Sequence, residues 1–417
     1  MRILWLSHLV PYPPKSGALM RAHHLLRETA RRHEVHLLAF HQPDLMAPLF
    51  DSPEEGLAEA HEALNRICAS LEVFDIPSEQ LRRGRARLAL RSLAGGAPYT
   101  IRWLHSPAFR RAVREWTARI EPDLVHFDTI SLVPYQNEVG SRPSVLDHHN
   151  IESHLLLRRA SRDFNPLRRA YFWQEGKRLA SWEKSWCGRF SLNLTCSDLD
   201  AKRLERVCPG ARTAVVPNPV DLDYFRPDPA RREDPQCLIF VGTLSWDPNR
   251  DAADFIAGQL WPRLRRALPE VRMDVIGAHP PRRLLELSRR DLAFRVHGFV
   301  DDIRPALDAA AVYLCPIRDG GGTKLKILDA FAMRKAVVAH PVACEGIAVT
   351  AGRDVRFART PDEYVAEIRR LLGDPTLRRA QGGAARDLVE RRYSTEVVGR
   401  ELSELYERCV VEHPSAA

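Results

Sequence analysis

Three consecutive glycines, Gly320, Gly321 and Gly322, lie between a short apolar run, Ala311 to Cys315, and a segment from Thr323 onward whose apolar residues fall at helical spacing. Glycine reaches backbone angles closed to other residues, so the pattern predicts a buried strand, a tight loop and a helix in succession. Thr323, Lys324 and Lys326 then stand beside a helix N-terminus, whose unpaired N–H groups and partial positive charge suit a phosphate or diphosphate. Asp329 follows Lys326 by one helical turn. The run is neither G-x-x-x-x-G-K-S/T nor G-x-G-x-x-G. Nucleotide-diphosphate binding of another kind is the chemistry indicated.

Such a loop needs a sheet behind it. In the first half, short apolar or β-branched runs at Arg2–Leu6, Val35–Phe40, Leu71–Ile76, Leu124–Phe127, Ser144–Leu146 and Leu192–Cys196 alternate with helical stretches. The second half repeats the pattern at Ala214–Val216, Leu238–Val241, Arg272–Ile276, Arg295–His297, Ala311–Cys315, Ala336–Ala339 and Val355–Ala358. Alternation of this kind implies parallel sheets covered on both faces. The fold class expected is α/β, with two doubly wound domains and ligands at the carboxyl ends of the strands. Prolines, Asn218 and Asp221 mark the join between Val216 and Ala230, ahead of a charged linker at Arg231 to Asp234. Tyr171, Phe172, Trp173, Trp182 and Trp186 recur at roughly helical spacing and are expected to pack in the core, the alternative being a wall that faces an acceptor or a membrane.

Composition narrows the class further. A chain of 417 residues is too long for one core and predicts two domains. The net charge of +8 suits anionic donors, a membrane surface or nucleic acid, or simply reflects a high-GC genome's preference for arginine, and no zinc-finger spacing or RNA-recognition signature supports nucleic acid. Eight scattered cysteines without a C-x-x-C pair read as reduced core residues of a cytosolic protein. Met1 to Val10 is short and runs into Pro11, Pro13 and Pro14, which makes it a first strand rather than a signal peptide. No apolar run reaches membrane-spanning length, so membrane contact is expected to be peripheral at most. The tail from Glu412 to Ala417 is expected to be disordered.

The segments "VVPNPVDLDYFRPDP" (215–229) and "PIRDGGGTKLKILDAFAMRKAVVAHPVACEGI" (316–347) together resemble the GT-B glycosyltransferases of family 4. Their closest likeness is to the sugar transferases of bacterial exopolysaccharide and exosortase clusters. "HLVPYPPKSGALMRAHHLL", "LDHHNIES", "FVGTLSWDPNRDAADFI" and "VHGFVDDIRPAL" follow the same family order over nearly the whole chain. The resemblance implies two Rossmann-like domains facing across a cleft: residues 1–215 on the acceptor side, 216–394 holding a nucleotide-sugar, and a helix at 395–412 crossing back. It implies retaining, metal-independent transfer of a sugar from a UDP-, GDP- or similar donor to a lipid-linked or growing polysaccharide acceptor, with no other cofactor. It further implies exopolysaccharide synthesis in the cytoplasm or at the inner leaflet.

Carried onto this sequence, the resemblance puts His149 near the transferred sugar, with His148 as competing candidate and Asp147 and Glu152 able to tune it. Gly17 would face the donor diphosphate. Lys326, Thr323 and Gly322 would cradle that diphosphate, with Lys324 a second candidate, and Asp329 would accept hydrogen bonds from the ribose. The loop from His297 to Asp302, Phe299 included, would bracket the base. Three departures stand out. Gly321 occupies the place of the family's first glutamate, leaving Arg318 or Asp319 to substitute. Thr243 and Asn249 replace a basic pair, and Arg334-Lys335 replaces a glycine-containing turn. The competing functions are a non-catalytic sugar-nucleotide scaffold and a sugar-nucleotide epimerase. Basic segments at Leu81–Leu88 and Leu157–Arg162 each read as solvated helix faces, with attraction of anionic lipid headgroups as the alternative.

Overall fold

In the computed structural model, which describes residues 1–15, 17–46, 50, 52–80, 83–93 and 95–413, the chain forms two compact units, Met1–Pro217 with Val398–Ala417, and Asn218–Val397. Each is built on one parallel sheet with helices between successive strands.

The first unit's strands are β1 (Arg2–Ser7), β2 (Glu34–His41), β3 (Ser70–Asp75), β4 (Leu124–Asp128), β5 (Ser144–His148), β6 (Leu192–Thr195) and β7 (Thr213–Val215), ordered β3-β2-β1-β4-β5-β6-β7. The central strands read as nearly continuous apolar runs because both faces are covered. Alternate residues go to opposite cores: Leu4, Leu6, Leu38, Phe40, Val125 and Phe127 to one side, Ile3, Trp5, Leu37, Ala39, Leu124 and Val145 to the other. The helix Thr395–Glu412 covers the second of these faces through Val398, Leu402, Tyr406 and Cys409. The Tyr406 hydroxyl lies 2.7 Å from Nδ1 of His126 on β4.

The second unit holds β8 (Asp234–Val241), β9 (Arg272–Ile276), β10 (Phe294–Gly298), β11 (Ala310–Cys315), β12 (Ala336–Ala339) and β13 (Arg356–Phe357), in the order β10-β9-β8-β11-β12-β13. In both sheets the strand order reverses once, between β1 and β4 and between β8 and β11. A crevice opens outside the carboxyl ends of the strands at such a reversal.

Three expectations change. The run near Ala214–Val216 is not the first strand of the second half: β7 pairs with β6 at the edge of the first sheet. β8 begins at Asp234, inside the stretch read as a charged linker. The aromatic stripe divides, with Trp182 and Trp186 stacked against the core and Trp173 exposed to solvent. The basic segment 81–88 lies partly outside the described residues, as does the tail 412–417.

Candidate active site

In the second unit, the loop after β11 is held open by left-handed backbone at Gly320 (φ 104°) and Gly322 (φ 67°), angles that a side chain would strain. Lys324 folds back into this loop, its Nζ donating to the carbonyls of Gly320, Gly321 and Gly322 at 3.1, 2.7 and 2.8 Å. It therefore neutralises loop carbonyls that would otherwise crowd one another. The helix Leu325–Ala332 starts at the next residue.

Lys326 points the other way, toward the end of β8. Its Nζ donates to Asn249 Oδ1 at 2.6 Å, and Asn249 Nδ2 donates in turn to the Thr243 carbonyl at 2.9 Å. Burial lowers the Lys326 pKa to about 8, against the opposing pull of Cys315 and Asp329. Asp329, one turn on, is raised to about 8, chiefly by burial, with Lys326 opposing. One of its carboxylate oxygens, Oδ1, is buried without a partner, and so is the Thr323 hydroxyl. A cationic amine, a helix N-terminus and two unsatisfied oxygens thus gather at the strand reversal. Buried polar atoms without partners cost stability.

The neighbouring loops pack closely here. Gly242 N donates to Ile276 O, Gly277 N to Gly298 O and Leu244 N to Ala278 O, which aligns the segments following β8, β9 and β10. A Cβ on Gly277 would sit 2.0 Å from the Gly242 carbonyl oxygen. Phe299 follows Gly298 and is exposed. Arg318 is drawn away from the loop into a two-pronged pair with Asp251 (3.1 and 2.7 Å) and lies over Phe255. At the departure from the glycine-containing turn, Arg334 itself adopts left-handed φ of 54°, while Lys335 is buried and donates to the carbonyls of Asp308 and Ala310.

In the first unit, the corresponding reversal brings Ser7 and His8, at and after the end of β1, onto Asp128 at the end of β4. Asp128 is fully buried. Its Oδ2 lies 3.0 Å from both Ser7 Oγ and His8 Nδ1, and its Oδ1 lies 2.5 Å from His149 Nε2. Burial alone would raise the Asp128 pKa and lower that of His149. The pair overrides burial, so the carboxyl is held well below its usual range and the imidazole is raised. His149 is thereby oriented by a buried carboxylate that favours its protonated form.

Asp147 is committed elsewhere, receiving Arg21 Nε at 2.9 Å and Nη2 at 2.6 Å, although it also lies 3.6 Å from His149. His148 is buried in the sheet beside Asn193 (3.1 Å), a packing position. Glu152 is partly buried, and burial raises its pKa. Gly17 is the exposed first residue of the helix Gly17–Ala30.

Sequence reasoning missed Ser7, His8, Arg21 and Asp128, and treated Asn249 only as a lost basic residue. The signal for Asp128 and His8 was their place at or just past the ends of apolar strands, but using it required the strand order. His126, Asp128 and Asp147 present ligand atoms within 4.8 Å of one another. A divalent ion fits them poorly, because Arg21 and His149 already match the two carboxylates.

Residues 15–224 match the family model described as Glycosyltransferase Family 4. The chain belongs to glycosyltransferase family 4. Residues 235–374 match a second model, Glycosyl transferases group 1. No protein of curated function matches by sequence. Among solved structures, sucrose-phosphate synthase from Thermosynechococcus elongatus is similar with TM-score 0.69 at 16% identity, over 99% of this chain and 100% of that one. HepE from Anabaena in complex with UDP has TM-score 0.67 at 16% identity, covering 98% and 100%. A glycosyltransferase from Rickettsia africae has TM-score 0.67 at 11% identity, covering 98% of each. These likenesses show the fold, which is that of GT-B glycosyltransferases with two Rossmann-like domains. Membership of family 4 adds the reaction class, glycosyl transfer.

Proposed function

We propose that this protein is a retaining glycosyltransferase that moves a sugar from a nucleoside-diphosphate donor to a lipid-linked or growing polysaccharide acceptor in exopolysaccharide assembly. The observation that carries the donor assignment is Lys326, a partly desolvated amine fixed by Asn249 at the first turn of the helix that follows a glycine loop. In this reading the diphosphate takes Lys326, the Thr323 hydroxyl and the helix N–H groups; the ribose takes Asp329; and the backbone around Gly298 and Phe299 flanks the base. Lys324 holds the loop in shape from behind. Structures of Anabaena HepE in complex with UDP-glucose support a nucleotide-sugar as co-substrate.

As the sugar–phosphate bond breaks, negative charge grows on the departing diphosphate, where Lys326 and the helix N-terminus are already in place. This arrangement neutralises the leaving group without calling on a metal ion. Asp128 presents His149 in one orientation, suited to donating a hydrogen bond to a sugar hydroxyl, and retention follows if the acceptor attacks from the face the diphosphate leaves and gives its proton to that phosphate. The test is incubation with UDP-, GDP-, ADP- and dTDP-hexoses, following nucleoside-diphosphate release and the anomeric configuration of the product. Release with retained configuration is expected. Binding without hydrolysis or transfer from any donor would make the chain a scaffold, and an inverted product would refute retention.

A further inference from the structure

We infer that the hairpin formed by the helices Glu152–Arg162 and Pro166–Trp186 is a docking surface for anionic phospholipid bilayers. Phe164 and Leu167 stand at its turn and Trp173 two turns further on, all exposed to solvent. The helix Gly84–Leu93 is tied to the same hairpin by Arg178, whose Nη2 donates to the Gly96 carbonyl at 2.7 Å and whose Nη1 binds the Ser92 carbonyl. It exposes Leu90 and Leu93. Half of the ten large hydrophobic residues exposed among the described residues therefore lie on these adjoining elements. An open groove of about 560 Å³, lined by Leu157, Ala160, Pro166, Ala170 and Trp173 with Arg169 in its wall, runs along the hairpin.

Charge selects the occupant. From Leu157 to Arg169 the hairpin carries five arginines against a single carboxylate, Asp163, and that carboxylate is paired with Arg168. Arg159, Arg162 and Arg169 are exposed around the apolar tip, and Arg159 also stacks over Phe172 at 4.3 Å. Gly84–Leu93 contributes exposed Arg87 and Arg91 and no carboxylate. Aromatic and aliphatic side chains ringed by arginine match the boundary between acyl chains and anionic headgroups, where the apolar tip inserts and each cation is attracted to the surface. No helix among the described residues is long and apolar enough to cross a membrane, so this contact is peripheral. The inference adds a surface to the proposed function and does not rest on its donor chemistry, so either can fail without the other.

The experiment is co-sedimentation of the full chain with vesicles of phosphatidylcholine alone or mixed with phosphatidylglycerol, at low and high salt. Wild type is expected on the anionic vesicles only, with binding lost at high salt. Phe164→Ser/Leu167→Ser and Arg168→Glu/Arg169→Glu, both confined to exposed positions, are each expected to weaken binding at least about tenfold with an unchanged melting temperature. Absence of wild-type binding to anionic vesicles, or equal binding by both variants, would overturn the inference. So would a wild-type dimer in sedimentation velocity that the same variants dissociate, because the face would then be covered by a second copy.

Discussion

Replacing Lys326 by methionine separates its proposed role in binding from any role in folding. The thioether side chain keeps the apolar stem and removes only the amine, which lies over the Phe240 ring. In the free protein two effects oppose each other. A cation whose pKa burial has lowered to about 8 is no longer held in the interior, while Asn249 Oδ1 loses its donor. Their sum is expected to stay within about 2 kcal/mol. Binding is different, since a hydrogen bond to a charged group contributes about 1.5–3 kcal/mol, or about 10- to 150-fold in Kd. With the preferred nucleotide at 100 times the wild-type Kd, wild type gains about 2.7 kcal/mol and the variant between about 1.4 and about 0.3. At about 2–4 °C per kcal/mol for a unit of this size, the wild-type melting temperature should rise roughly 5–11 °C and that of the variant roughly 1–6 °C. The assay is thermal unfolding with and without nucleotide, with Lys324→Met alongside. Lys324→Met should lower the melting temperature of the free protein as well, because it releases three loop carbonyls. An equal ligand-induced rise in Lys326→Met and wild type would refute the diphosphate assignment.

Asp329→Asn tests the buried carboxyl by pH. Its folded pKa is raised to about 8, so between about pH 4 and pH 8 the unfolded chain sheds a proton that the folded one keeps, and wild-type stability falls as pH rises through that window. Asparagine cannot ionise, so its urea midpoint relative to wild type should climb from pH 4 to pH 8; a pH-independent difference would contradict the burial argument. Asp128→Asn removes the carboxylate that raises the His149 pKa against its burial and should cost about 3–5 kcal/mol. Loss is expected to be greatest between about pH 4 and pH 6.5, where both groups are charged, and to shrink as His149 deprotonates at higher pH; denaturant melts across that range read it. Gly277→Ala drives a Cβ into the Gly242 carbonyl and should destabilise by at least about 1–3 kcal/mol, whereas Gly258→Ala meets nothing within 4 Å and should be neutral or stabilising. Equal urea midpoints for the two variants would show that the loops after β8 and β9 are not closely packed.

Local pattern determined a great deal of this protein. Apolar runs alternating with helical periodicity made two doubly wound parallel sheets legible, because strands buried on both faces must be apolar throughout. The glycine loop was legible because only glycine tolerates the φ values found at 320 and 322. His149 and the stretch from Thr323 to Asp329 were named from motifs. The tertiary structure alone decided which partners they keep. Lys324 and Lys326 are two residues apart, yet the start of the helix turns one back to its own loop and the other toward Asn249, 77 residues earlier. Asp128 reaches His8 and His149 because β4 lies beside both β1 and β5, an adjacency set by crossover connections rather than by spacing along the chain. Arg334 occupies a left-handed turn where glycine was the expected residue, closed by the N–H groups of Arg334 and Lys335 donating to the carbonyls of Phe331 and Ala330. Exposure was equally undecided in one dimension. Trp173 and Trp182 share a helical stripe, and only the tertiary packing put one in solvent and the other against the core.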